Sequence, residues 1–433
     1  MKSIARRSLA GLMLLAALAV TVQLAAQDQL QNNKHSRYSV KGLGSLGGTF
    51  GEANGINNRG WVTGISNLSG DQSYHAFLWQ RGVMSDLGTL GGLNSFVAFP
   101  PNERGEIGGY AETSNSDPLG EDFCGTGTGL LCLGFIWQDG VMTPLPTRGG
   151  NNGVAEQINN RGQVVGYAEN STQDPNCISP QKLDVEAVIW GPKKGQIQEL
   201  PAFSGDSLAA ASAINDNGQV VGGSGICGTP SLGLIVHALL WENGSVTNLG
   251  SLGGVMNNVA LAINNRSQIV GISDLSGDAT FHAFLWTKGN GMQDLGTLPG
   301  DFSSVAFGIS NKGQVAGESC DANGNCRAFV WQEGVMTDLN TLIPDGSLYL
   351  VQSDWINSSE EIVGYAFDQN TGATVPYLAT PCNGSCWNGA EGATAAGIAN
   401  SERPTITLPE NVREQLRQRR GFGRFGAGLI RPQ

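Results

Sequence analysis

The sequence predicts an all-β protein, a seven-bladed β-propeller built from four-stranded antiparallel blades. Three observations carry that expectation. An apolar strand ending in Trp is written six times, an Ile followed by an Asn-bearing turn recurs at steps of 45 to 57 residues, and Gly supplies 63 of 433 residues while charged residues are only 14%. Such a composition suits a turn-rich β protein better than a helical or disordered one. Four strands in roughly 50 residues is the size of a propeller blade.

The chain begins with Lys2, Arg6 and Arg7, an apolar run from Leu9 to Val22, and the small residues Ala25 and Ala26. That order reads as a secretory signal peptide over residues 1–26, followed by a flexible lead at 27–36. The Arg6-Arg7 pair raises the twin-arginine export route, but its flanking residues match that signal poorly. No later stretch reaches the ~18 apolar residues that span a bilayer, so the mature chain is expected to be secreted, extracellular or periplasmic, with no transmembrane segment. Loss of the leader removes three positive charges and takes the formal net charge from −12 to −15. An acidic surface repels phosphate backbones, which argues against nucleic acid as a partner.

Residues 37–380 hold the repeats. In the first repeat one strand ends at Ala53 to Ile56, a turn occupies Asn57 to Gly60, and a second strand runs from Trp61 to Ile65. The third is His75 to Trp79 and the fourth Val83 to Leu87, with a variable loop between second and third. The third strand returns as His282 to Trp286, His237 to Trp241, Arg327 to Trp331, Gly134 to Trp137 and Ala187 to Trp190. In the turn, the first Asn is suited to bond the backbone two residues on, and Gly at the fourth position takes the positive φ that closes a tight hairpin. The residue before the turn is Ile56, Ile158, Ile214, Ile263, Ile309 or Ile356, with Pro101 in the second repeat. Proline cannot donate to a ladder, so Pro100-Pro101 should weaken that strand.

The seventh repeat has a third strand at Val375 to Leu378, with Tyr377 placed in the Trp column, and no fourth strand after it. The missing strand is at the other end of the chain. Tyr38 to Leu43 followed by Gly44 to Gly48 matches Met84 to Leu87 followed by Gly88 to Gly92. A ring closed by its N-terminal strand accounts for both ends and removes open sheet edges. The alternative is a β-helix or solenoid with two coils per repeat; the recurrent hairpin turns favour antiparallel pairing instead.

The set Asp86 to Gly92, Ile158 to Gly162 and the tripeptides His75-Ala76-Phe77 and His282-Ala283-Phe284 resembles the HAF-repeat family of extracellular bacterial repeat proteins. The resemblance covers roughly residues 38 to 380 and implies export and a β-rich repeat fold. It brings no activity and no binding residues.

Candidate chemistry is sparse. His75, His237 and His282 share one column, filled elsewhere by Arg327, Glu186 or Leu133, and the fourth histidine, His35, lies in the lead. A catalytic base or metal ligand is expected to be singular or deliberately clustered, so the column reads as structural. The Asp column of the fourth strand, Asp86, Asp294 and Asp338 with Asn248, reads as a recurrent hydrogen bond to a nearby turn. Glu52, Glu156 and Glu318 lie off-column and are the acids a glycoside hydrolase would need to pair. Asp321 to Asn325 has the alternating oxygens of a calcium loop but lacks the distal Glu and sits between two cysteines. No catalytic residue, metal or cofactor is therefore assigned. Trp61, Trp355 and Trp387 depart from the Trp column and are the candidate binding residues.

Eight cysteines in an oxidising compartment imply disulfides. Cys124 with Cys132, Cys320 with Cys326, and Cys382 with Cys386 are the local pairs, leaving Cys177 to Cys227 between adjacent repeats. Residues 381–433 form a cysteine-bearing linker and a basic tail, in which residues 410–433 hold six Arg and two Glu. That tail is expected to dock on the acidic body, bind an anionic envelope, or stay solvated. The function that follows is a non-catalytic extracellular binding module for a glycan or cell-envelope component. A carbohydrate-active propeller enzyme and a purely structural surface protein are the alternatives.

Overall fold

The computed structural model describes residues 36–177, 179–227, 234–382, 406–410 and 412–413. The expected leader, His35, Cys386, Trp387 and most of the basic tail lie outside the described residues. Among the described residues the elements are 28 strands and one short turn of 3-10 type at Leu339–Leu342. Strand β1 is Tyr38–Gly42, and the first repeat contributes β2 (Gly47–Ile56), β3 (Val62–Leu68), β4 (Tyr74–Gln80) and β5 (Val83–Asp86). The second to sixth repeats each form a separate four-stranded sheet in simple up-and-down order. The seventh contributes Leu348–Ile356, Ile362–Asp368 and Thr374–Pro381, and β1 lies antiparallel on the last of these, from Tyr38 opposite Pro381 to Gly42 opposite Tyr377. One parallel bridge, Phe50 to Thr374, joins this sheet to that of the first repeat. The fold is all-β and propeller-like, and antiparallel hairpins replace the parallel pairing of a β-helix.

One register recurs in every repeat. Phe77 stands opposite Gly64, Phe135 opposite Gly109, Phe284 opposite Gly271 and Phe329 opposite Gly317. The glycine is required by the backbone of the first strand, which bulges beside it. A Cβ on Gly64 would lie 2.0 Å from the Glu52 carbonyl, and one on Gly317 would meet the Val305 carbonyl at 2.1 Å and the Phe329 ring at 2.5 Å. Bare glycine thus admits both the bulge and the aromatic ring of the third strand.

This register corrects the placement of Tyr377. It stands opposite Gly364 and so occupies the Phe column, while Ala379, opposite Ile362, takes the place that Trp79 holds opposite Val62. Residues two apart on a strand share a face, and both columns are aromatic, so sequence alone slips between them. Tyr377 is fully buried and its hydroxyl donates to the Gln352 carbonyl at 3.1 Å. The expected effect of Pro100-Pro101 is present: the first strand of the second repeat is six residues, Gly91–Phe96, against ten for Gly149–Ile158.

The Asn turns gather at one end of the sheets. Asn57 Oδ1 accepts from the amides of Arg59 and Trp61 at 3.0 and 3.1 Å, and Gly60 takes a φ of 72°. The same Asn reaches its neighbour. Asn57 Nδ2 donates to the Asn102 carbonyl, Asn102 to Asn159, Asn159 to Asn215, Asn215 to Asn264, Asn264 to Ser310, and Asn357 back to Asn57, at 2.9 to 3.2 Å. The Ile column, Pro101 and the turn residues Asn58, Glu103, Asn160 and Asp216 line a cavity of about 130 Å³ that opens at the turn end. The motif is therefore a latch between repeats, with apolar side chains packed behind a self-bonded polar belt.

Candidate binding surface

In an up-and-down sheet the loops between second and third strands fall at the end opposite the Asn turns, beside the connections between repeats. Those loops carry the disulfides. Cys124–Cys132, Cys177–Cys227 and Cys320–Cys326 are bonded as the spacing led us to expect, and Cys382 is also disulfide-bonded. The Cys177–Cys227 bond ties the third repeat to the fourth across a sequence separation of 50.

Buried carboxylates tie the second repeat to the third. Glu112 and Glu169, each 0% exposed, close Gly-Tyr-Ala-Glu segments at 109–112 and 166–169. Glu112 Oε2 accepts from the Leu93 and Asn94 amides, and Glu169 Oε2 from those of Asn151 and Asn152. Each carboxylate thus holds the start of its repeat's first strand, packed so tightly that a Cβ on Gly92 or Gly150 would lie 2.4 Å from the acid's own Cβ. Glu121, from the loop of the second repeat, reaches into the third: its Oε1 accepts from the amides of Lys182 and Leu183 at 2.7 and 2.9 Å. Gln181 Nε2 sits between the acids, 3.2 Å from Glu121 and 2.8 Å from Glu169. Burial, then the neighbouring Glu121 charge, pushes the Glu169 carboxyl up to about 7 against the opposing amide hydrogen bonds. Both side chains are 0% exposed, so this acid pair meets protein rather than solvent. Sequence reasoning missed it, although the repeated Gly-Tyr-Ala-Glu was the available signal.

The His and Asp columns, which the sequence presents separately, meet across the third and fourth strands. His75 Nδ1 is 2.9 Å from both carboxylate oxygens of Asp86, and His282 Nδ1 is 2.9 and 3.0 Å from those of Asp294. Asp86 and Asp294 also accept from the amides of Gly88 and Gly296, each at 2.7 Å. Burial alone would raise these carboxyls; the His hydrogen bond, the amide and the His charge outweigh it and hold both below the usual carboxylate range. His237 pairs with Asp206 at 2.8 Å. Arg327 takes the column's place against Asp301 and Asp338, and in the third repeat the charges are reversed, with Glu186 held by Arg148 at 2.8 Å. The column is a set of polar contacts to oppositely placed side chains, across the third and fourth strands at His75, His282 and Arg327, and to the segment before the first strand at Glu186, His237 and Arg327.

The Trp candidates stand apart from the loop end. Trp61 is half-buried at the turn end, under the Arg59 guanidinium at 5.4 Å and against Gly105. Trp355 is buried in the cavity wall, edge-on to Phe99 at 5.7 Å. Glu156 and Glu318 are each 1% exposed, and Glu52 and Glu156 both raise the Tyr110 phenol, behind the effect of burial, from one interior neighbourhood. Asp321 spends its carboxylate on its own turn, accepting from Asn323 and Asn325 inside the Cys320–Cys326 loop. Large apolar side chains are exposed at both ends: Val83 (61%) and Val141 (62%) follow the short turns between third and fourth strands, at the Asn-turn end, and four others lie at the loop end. Leu93 (56% exposed) and Val255 (65%) follow the Gly-Gly of their repeats, Phe302 (50%) precedes a first strand, and Ile226 (50%) ends a second strand.

No family model and no curated protein sequence matches the chain. Among solved structures it is similar to an acylaminoacyl peptidase of Pyrococcus horikoshii, at 11% identity over 77% of this chain and 52% of the peptidase, with a TM-score of 0.44. The chain thus spans about half of that enzyme. An oligogalacturonate lyase in complex with manganese is similar at 11% identity over 79% of this chain and 93% of the lyase, TM-score 0.47. The SapL1 lectin in complex with alpha methyl fucoside is similar at 10% identity over 69% and 97%, TM-score 0.31.

Proposed function

We propose that the seven repeats form one ring, a seven-bladed propeller closed by β1, acting as an exported, non-catalytic binding module whose contact surface is the loop end. Closure is supported by the antiparallel seating of β1 on Thr374–Pro381 and by the Asn357 amide that joins the last turn to the first. Export is supported by three disulfides, by the resemblance to the HAF-repeat family, and by the leader-like start of the chain.

The observation that carries the binding surface is the contrast between the two ends. At the turn end the Asn turns bond to one another, and the exposed Val83 and Val141 hold the same place after a short turn in their repeats. The loop end leaves Leu93, Ile226, Val255 and Phe302 half or more exposed beside loops that differ in length and are held by disulfides. Exposed apolar side chains on a braced, variable rim suit a contact surface. The ligand class is a glycan or cell-envelope component, for which apolar side chains offer stacking and contact area.

Binding of the mature protein to a glycan array and to envelope fractions tests this, beside a Leu93→Ser, Val255→Ser, Phe302→Ser triple variant. The expected outcome is retention of the wild type and at least a tenfold loss in the variant, with both melting alike. Undiminished binding by the variant would refute the surface; no binding by the wild type would refute the ligand class.

A further inference from the structure

Part of the basic tail is seated on the sixth and seventh repeats. Tyr349 and Val351 come from Leu348–Ile356, Tyr365 and Phe367 from Ile362–Asp368, and the Cys320–Cys326 disulfide supplies the rim; together with Leu408 and Val412 they form one apolar cluster. Leu408 is 1% exposed and Val412 2%. The turn between the cysteines is held by its own contacts: Asp321 accepts from the amides of Asn323 and Asn325 and from the Asn325 side-chain nitrogen. That leaves Asn325 Oδ1 to accept the Leu408 amide at 3.0 Å. The Asn323 carbonyl accepts from Arg413 Nη1 at 3.1 Å.

The tail adds no strand to any sheet among the described residues. Its hold consists of the buried Leu408 and Val412 with the half-buried Ile406 beside them, the Leu408 amide, the Arg413 guanidinium and a polar contact between the Tyr349 hydroxyl and the Ile406 backbone; Leu408 precedes the helical residues that include Val412. Buried aliphatic anchors of a short segment in an apolar groove are a pattern by which grooves recognise peptides. The acidic body and a tail segment with six Arg against two Glu add long-range attraction.

We infer that this groove is a peptide-binding site for ligands of the pattern Leu-Pro-x-x-Val-Arg, and that residues 408–413 are its resident ligand. A partner segment with two aliphatic anchors four apart and a following Arg takes the same seat by displacing the tail. This site is separate from the rim of Leu93, Val255 and Phe302 and does not depend on that rim's function.

The test uses the full-length chain with Leu408→Asp and Val412→Asp, which empties the seat, and a fluorescent synthetic peptide of residues 405–414. Anisotropy should show saturable binding to this variant, at least tenfold weaker binding to the wild type, and weaker binding again when Asn325→Ala is added to the emptied variant. Absence of saturable binding to an emptied variant that melts like the wild type would overturn the proposal, as would equal binding to emptied and wild-type chains. If the emptied variant fails to fold, hydrogen exchange of the wild type decides. The Leu408 amide should exchange at least a hundredfold faster than the ladder amides of Leu348–Ile356, and protection equal to theirs would make the tail part of the core and overturn the site.

Discussion

Replacing Glu169 by Gln should change the sign of its effect between acid and alkaline conditions. Glu169 is an acid whose folded pKa, about 7, stands above its usual 4.5. Below the usual value both folded and unfolded chains are protonated and the site costs nothing. As pH rises the unfolded chain ionises first, so stability falls from about 4.5 upward and the loss is complete above about 7. A displacement of roughly 2.5 units at 1.36 kcal/mol per unit gives about 3 kcal/mol. An amide has the shape of the protonated acid and its oxygen still accepts the Asn151 and Asn152 amides, so the variant should lie within about 1 kcal/mol of wild type at pH 5. At pH 8 it should be the more stable protein by up to about 3 kcal/mol, or roughly 4 °C in Tm for a unit of this size unfolding cooperatively. Melting curves of both proteins from pH 4.5 to 8.5 isolate the effect, because every other titrating group cancels in the difference. A difference that stays flat across that range, or a variant less stable than wild type at pH 8, refutes the assignment of a buried, proton-binding Glu169. Glu121→Gln provides the internal control: without the neighbouring charge, the pH-dependent part should shrink but not vanish.

Deleting residues 37–43 removes β1 from Thr374–Pro381 and should lower the melting temperature sharply and promote aggregation, whereas unchanged melting contradicts ring closure. Gly317→Ala puts a methyl 2.1 Å from the Val305 carbonyl and should cost several kcal/mol by denaturant titration, while Gly42→Ala, with no atom within 4 Å, should be nearly neutral. Loop length ranks the disulfides. Replacing Cys177 and Cys227 by Ser should cost about 4 kcal/mol and replacing Cys320 and Cys326 about 2 kcal/mol, a ranking that urea unfolding of the two double variants measures. His75→Ala should weaken the protein at pH 5 and progressively less as the pH falls below the usual carboxylate range, because a lowered Asp86 stabilises above the usual carboxylate pKa and loses its effect as pH falls through the folded one; a loss that stays constant in melting curves as the pH is lowered argues against the pair.

The sequence made the strands, their order and two local cysteine pairs legible because each is encoded locally or by repetition, and Cys177–Cys227 followed by elimination. Ile columns, Asn turns and Gly-rich second strands recur at matching positions, and any one copy checks the others. Tyr377 slipped by two residues because a Phe column and a Trp column on one strand face offer the same signal when a repeat keeps only one aromatic. His75 and Asp86 were both read as columns, yet their union was not, since 11 residues separate them in the chain and only the hairpin register brings them opposite. Glu121 was invisible for a different reason. It belongs to no column, and its partners Lys182 and Leu183 lie about 60 residues away in a neighbouring loop whose length nothing in the repeat predicts.

That difference separates the two ends of the molecule. At the turn end each side chain answers to its own copy in the next repeat, so Asn57, Asn102 and Asn159 satisfy one another and a change in one repeat is felt as a break in the latch. At the loop end the contacts are made between unlike partners: Glu121 with the third repeat, Cys177 with Cys227, and Asn325 with Leu408 of the tail. Contacts of that kind tolerate insertion and exchange without disturbing the sheets, since the ladders are complete before the loops begin. A recognition role at this end, as proposed for the loop rim and the tail groove, would therefore leave the ladders untouched, whereas a change at the Asn turns would be felt by two repeats at once.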